Sequence, residues 1–130
     1  MTDGNYQVEF TTDAKGDFRD LDGGSRKRVA AAIKNKLTVA PQSYGHPLGS
    51  RSGGDLTGLR KLVVGNRDLR IIYEVADDDR VVILWVIGNR SDDECYSLAY
   101  ARVPDIGSPS HRRFIQELLD KLRGPGRSRG

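Results

Sequence analysis

Four side chains of the 130-residue sequence stand where neighbouring elements can bring them together: Lys61, Arg70, Arg90 and Tyr96. Lys61 and Arg70 flank Gly65-Asn66-Arg67-Asp68, a turn-like break between two apolar runs. A chain that folds back across such a break forms antiparallel strands, so the two cations fall on neighbouring strands. Arg90 follows a third apolar run, at the exit of the strand it forms. Ser91-x-x-Glu94 is a capping-box pattern; it opens a helix and sets Tyr96 near the second turn. The four groups can therefore converge on one concave sheet edge. Cations around one phosphate, with a tyrosine beside them, suffice to cleave RNA, because the 2′-hydroxyl of RNA attacks its own phosphodiester. The protein then supplies positioning, charge stabilisation and proton transfer. A free tyrosine has a pKa near 10, so neighbouring cations must depress it before it serves as a base at neutral pH. A plainer reading stays open, in which Lys61 and Arg70 are solvent-face residues and Tyr96 packs with a wet hydroxyl.

The elements that hold these groups are legible from periodicity. Residues 59–64 form the first run, with Leu59, Leu62, Val63 and Val64 as its apolar members. Leu69, Ile71, Tyr73 and Val75 alternate with Arg70, Ile72 and Glu74, the period of a half-buried strand. Residues 81–87 are seven apolar residues in a row, β-branched and carrying Trp85, which predicts a central strand buried on both faces. Together they predict a three-stranded antiparallel meander. Upstream, residues 6–10 alternate as a first strand, and Thr11-Thr12-Asp13 offers cap chemistry for a helix over about 14–21. Gly23-Gly24 ends that helix and Ser25 caps the next, which runs from 26 to about 40 with Val29, Ile33 and Leu37 as its stripe; Pro41 stops it. The Gly- and Ser-rich stretch 42–57, which contains His46-Pro47-Leu48, reads as a long loop. Residues 92–103 form a helix whose core stripe is Cys95, Leu98, Ala99 and the stem of Arg102. After a linker at 104–110, residues 111–123 form a terminal helix. Its apolar side can pack on the domain, form a dimer seam or receive a partner. A basic tail, 124–130, follows.

Composition limits the function classes. One cysteine excludes an internal disulfide framework, and His46 and His111 stand in no metal-ligand spacing. No P-loop or dinucleotide fingerprint appears, and no cofactor is expected. No apolar run approaches a membrane span and no secretory leader is apparent, so the expected location is cytoplasmic and no membrane partner is expected. The net charge of +3 resides wholly in residues 105–130; residues 1–104 hold equal numbers of acids and bases. A nucleic-acid footprint in the domain must be local. Arg26, Lys27 and Arg28, on a helix with Lys34, Lys36 and no acid, are candidate RNA contacts, or else a solvated face.

Gly58-Leu59-Arg60-Lys61-Leu62, then Leu69-Arg70-Ile71-Ile72-Tyr73, then Ile87-Gly88-Asn89-Arg90 with Tyr96 six residues on, resembles the RelE/ParE toxin superfamily. The likeness is closer to the RelE branch and covers roughly residues 5–103. It implies an α+β fold in which two N-terminal helices pack on a twisted, mainly antiparallel four-stranded sheet, with a C-terminal helix and here an extra terminal helix. The implied domain is 1–103, with 104–130 as linker, terminal helix and tail. It further implies a toxin of a type II toxin–antitoxin system, a ribosome-dependent, metal-independent mRNA endonuclease neutralised by a cognate antitoxin. The alternative is a ParE-like inhibitor of DNA gyrase without nuclease activity. In the RelE branch the matching positions hold transition-state cations (Lys61, Arg70), a cation proposed to protonate the leaving group (Arg90) and a tyrosine proposed as base and stacking platform (Tyr96). One departure stands out. Val63 replaces a basic residue frequent in the family, and Arg67 in the hairpin is the candidate to supply the lost RNA contact.

Overall fold

The computed structural model describes residues 6–51, 54–66, 68–89 and 91–123. Its centre is a five-stranded sheet in the order β1-β5-β4-β3-β2. The strands are β1 (Gln7–Phe10), β2 (His46–Arg51), β3 (Gly54–Val64), β4 (Leu69–Ala76) and β5 (Val81–Gly88). The predicted meander is β3-β4-β5, antiparallel throughout, and the first strand joins it parallel at the β5 side. Every residue of β5 is buried, as an unbroken apolar run requires.

Four helices cover both faces. On one, α1 (Thr12–Asp20) and α2 (Gly23–Ala32) pack through Ala14, Val29 and Ala32 onto Leu62, Ile71, Tyr73 and Leu84. On the other, α3 (Asp92–Arg102) and α4 (Pro109–Arg123) cover Leu59, Ile72, Ile83 and Trp85. The capping box at Ser91 and Glu94 is formed, with both reciprocal hydrogen bonds in place.

Four expectations need correction. The stretch 42–57 is not all loop, because β2 pairs with β3 from His46↔Lys61 to Arg51↔Gly54, with a register shift between Pro47 and Gly49. The sheet thus has five strands rather than four. Gly23-Gly24 does not end a helix; it opens α2, with Asp22 rather than Ser25 as the cap, its carboxylate accepting from the Ser25 backbone at 2.7 Å. The second helix also does not run unbroken to residue 40, since residues Ile33–Leu37 widen into a π-helical turn. Finally, β4 is buried on both sides rather than half-buried, because α3 and α4 seal the face that carries Ile72 and Glu74.

The terminal helix packs back on its own sheet. Phe114 lies 5.0 Å from Trp85 between ring centroids, and Leu119 is buried against the same cluster. Its start is capped by Ser108, whose hydroxyl accepts from the His111 backbone at 3.1 Å. Beneath it sits a polar knot. Trp85 Nε1 donates to Glu74 Oε1 at 3.1 Å, and His111 Nε2 approaches Glu74 Oε2 to 2.7 Å. That approach is an electrostatic contact outside aligned hydrogen-bond geometry. The other ring nitrogen, Nδ1, accepts from the Gly107 backbone at 3.2 Å.

A second polar device closes the sheet edge. β1 stops at Phe10↔Leu84, so beyond Leu84 the β5 edge that faces away from β4 has no paired strand among the described residues. Asp17 of α1 accepts from the Ile87 backbone at 3.0 Å, and Arg102 of α3 donates to the Trp85 carbonyl at 3.0 Å. The two side chains also bind one another at 2.7 and 3.1 Å, a paired geometry that ties α1 to α3 around the edge. That hydrogen bonding outweighs burial and raises the Arg102 pKa above its ordinary value. The expected contribution of Arg102 to the core is thus more than its aliphatic stem.

Candidate functional site

The β3–β4 hairpin sets the register of the two predicted cations. Val63 pairs with Arg70, and Lys61 pairs with Ile72. All four side chains share one face, the one crossed by the start of α3. The turn between the strands needs glycine, because Gly65 has φ +69° and a Cβ there would meet Asp68 Oδ1 at 2.8 Å.

Asp92, the first residue of α3, reaches down between the two cations. Lys61 Nζ lies 3.1 Å from one carboxylate oxygen, and Arg70 Nε lies 2.5 Å from the other. A carboxylate is well placed at a helix N-terminus, where the backbone dipoles favour negative charge. The cation side chains are only 14% and 18% exposed, whereas Asp92 is 41% exposed and borders open water. Tyr96 stands one turn later on the same helix face, with the Lys61 ammonium 5.6 Å from its ring centroid. Lys61, Arg70 and Asp92, with His46 and Val63, line a cleft of about 390 Å³.

The electrostatics follow from these neighbours. Burial alone would lower the Lys61 pKa, but hydrogen bonding to Tyr96 and Asp92 reverses that and raises it. For Asp92 burial pushes the pKa up, and the hydrogen bonds and charges of Arg70 and Lys61 outweigh it, leaving it below the usual carboxylate value. A group depressed in this way adds stability above its ordinary pKa, and loses it as pH falls through the lowered one. Mild acidification therefore leaves this triad ionised.

The structure brings Lys61, Arg70 and Tyr96 together as the sequence spacing implies. Arg67 and Arg90 lie outside the described residues. Arg26, Lys27 and Arg28 lie within α2, which packs on the opposite face of the sheet. Arg26 donates to the Leu21 and Arg19 carbonyls at 2.6 and 3.2 Å, and Arg28 pairs with Asp68 at 3.3 Å in the hairpin turn. Arg60 points away from the cleft and donates to the Tyr44 and Gly45 carbonyls. Asp92 was not legible as a site residue, since an acid after an N-cap reads simply as a helix start. A second recess, near Gln42 and Asp77, has its polar groups satisfied internally: Gln42 and Tyr6 both donate to Asp77.

Several solved structures share this architecture. The toxin–antitoxin complex RelBE2 of Mycobacterium tuberculosis is similar with 25% identity and a TM-score of 0.55, over 66% of this chain and 99% of that chain. An E. coli RelE mutant in the free state matches at 21% identity and a TM-score of 0.54, over 77% and 99%. The same RelE mutant in complex with an antitoxin RelBc peptide matches at 24% identity and 0.55, over 78% and 97%. No curated protein sequence is significantly similar. Residues 8–94 match the family described as the ParE toxin of the type II toxin–antitoxin system parDE, and since that match spans most of the chain, the protein belongs to this toxin family, within the RelE/ParE superfamily.

Proposed function

We propose that this toxin is an endoribonuclease of the RelE kind, acting on mRNA in the ribosome and held in check by a cognate antitoxin. The observation that carries the reading is the grip of Lys61 and Arg70 on the two oxygens of a single carboxylate. Two donors spaced for two oxygens of one carboxylate are also spaced for two oxygens of one phosphate. Tyr96, against Lys61, serves as base and stacking platform, and Arg90, carried over from the sequence resemblance, adds charge at the phosphate. Arg26, Lys27 and Arg28 are proposed RNA contacts outside the reacting centre, and Arg67, carried over from the sequence, is proposed to supply the RNA contact missing at Val63. An acidic antitoxin segment fits the same cleft electrostatically, and the similar solved complexes with antitoxins support such a partner.

In this reading the phosphate displaces Asp92 from the cations. Lys61, Arg70 and Asp92 together carry a net charge of +1, and Asp92→Asn raises it to +2. The variant is expected to bind a short non-cleavable RNA about tenfold more tightly at low salt, which is ~1.4 kcal/mol, with a steeper salt dependence. Titration at several ionic strengths checks this; unchanged affinity and slope would mean RNA does not meet these cations.

The second reading is a ParE-like inhibitor of DNA gyrase without nuclease chemistry. Two observations favour it: the family match bears the ParE description, and Val63 and Asp92 leave the cleft with less positive charge than two cations imply. Primer extension on an mRNA with and without ribosomes, run beside a gyrase supercoiling assay, separates the readings. Ribosome-dependent cuts support the nuclease. Blocked supercoiling with intact mRNA supports the alternative.

A further inference from the structure

His46 falls in a stretch that reads as loop, yet it is the first residue of β2 and sits directly across the ladder from Lys61. Opposite residues of an antiparallel pair project to the same face, so the exposed imidazole lines the cleft with Lys61, Val63, Arg70 and Asp92. Its backbone approach is tightly determined. The Tyr73 hydroxyl lies 2.6 Å from the Tyr44 carbonyl, and Arg60 donates to the carbonyls of Tyr44 and Gly45. Gly45 has φ +74°, and a Cβ on it would come within 2.8 Å of the Lys61 carbonyl. Three contacts thus clamp the two residues before His46 against β3 and β4. Among the described residues, the charged and titratable groups facing it are Lys61 across the ladder, Arg70 one strand further and Asp92 on α3, with Tyr96 beyond Lys61.

We propose that His46 is the general acid of the RNA cleavage described above, and the proposal rests on that reading. Attack by the 2′-oxygen proceeds in line, so the attacking and leaving oxygens lie on opposite sides of the phosphorus. Tyr96 comes to Lys61 from the α3 side and His46 from the β2 side. Tyr96 accepts the 2′-hydroxyl proton as the O2′–P bond forms. The P–O5′ bond breaks with its electron pair on O5′, and the imidazolium of His46 gives that oxygen a proton. The products are a 2′,3′-cyclic phosphate and a 5′-hydroxyl, with one proton moved from His46 to Tyr96 through the substrate. The family resemblance gives the leaving-group role to Arg90, but a guanidinium holds its proton to above about pH 12. Imidazole exchanges its proton near neutrality and is the better donor.

The test is single-turnover cleavage of ribosome-bound mRNA by wild type, His46→Gln and Lys61→Ala between pH 6 and 9. His46→Gln is expected to be about 10²-fold slower and to lose the fall in rate with rising pH that an acid form requires. A substrate with sulfur in place of O5′ needs no proton on its leaving group. It should restore His46→Gln to near the wild-type rate but leave Lys61→Ala slow. Restoration also demonstrates a folded variant, and His46→Asn repeats the measurement in a second background. Wild-type rates on the oxygen substrate, or no restoration by sulfur, overturn the role of His46 alone. A wild-type protein that cuts no ribosome-bound mRNA overturns the nuclease reading and this proposal with it.

Discussion

Arg70→Ala is expected to lower mRNA cleavage on the ribosome by about 10²- to 10³-fold, the usual loss when one preorganised donor to a developing oxyanion is removed. Arg70 stands on β4 directly across the ladder from Val63, so its ladder partner in the cleft carries no charge. The effect on folding is small. Arg70 meets a carboxylate that is 41% exposed, and screened pairs of this kind contribute about 0–1 kcal/mol. Arg70→Lys retains the charge without the forked donor geometry and should recover only part of the rate. Lys61→Ala is expected to match Arg70→Ala. The double variant should fall short of the product of the two, since both act on one phosphate. Tyr96→Phe keeps the ring against Lys61 and should lose about 10²-fold in rate for less than about 1 kcal/mol of stability. Single-turnover rates beside denaturant melts check the set. Arg70→Ala cleaving within about threefold of wild type would remove the phosphate from this pair of cations.

The convergence of Lys61 and Arg70 was legible because it depends on local chemistry. A turn containing Gly65 fixes the hairpin, and the hairpin fixes which residues pair. The capping box of Ser91 and Glu94 is equally local, and it carries Tyr96 to the same place. The parts that escaped depend on what docks from afar. β2 contains Pro47, Gly49 and Ser50, poor strand formers, and pairs because β3 offers an open edge. Nothing in the order of residues 42–57 reveals that edge, and so His46 reads as loop in the sequence. Asp92 becomes a partner of Lys61 and Arg70 only when α3 lies across the sheet. Glu74 occupied a polar slot of an alternating strand, and its burial follows from α4, 35 or more residues further along the chain.

The largest expected loss of stability is at Trp85. Trp85→Ala should cost about 3–5 kcal/mol, as large-to-small changes of buried aromatic residues do. A domain of this size is commonly stable by about 5–15 kcal/mol, so much of the population would unfold under mild denaturant. Trp85 is 3% exposed in the middle of β5, and its ring meets Phe114 of α4. The cavity therefore opens between the sheet and the terminal helix, where neither a strand ladder nor a cap can close it. The indole N–H adds to the loss, because without it Glu74 keeps only the off-line approach of His111 in a buried setting. Trp85→Phe separates the two contributions. It retains most of the volume and the contact with Phe114 but removes the donor, and should cost about 1–3 kcal/mol. Phe114→Ala removes the same packing from the other side, so in combination with Trp85→Ala its effect should be less than additive. Urea melts of the four variants beside wild type decide the matter. If Trp85→Ala melts within about 1 kcal/mol of wild type, α4 is not anchored through this ring, and the contacts that hold the terminal helix lie elsewhere along its apolar side.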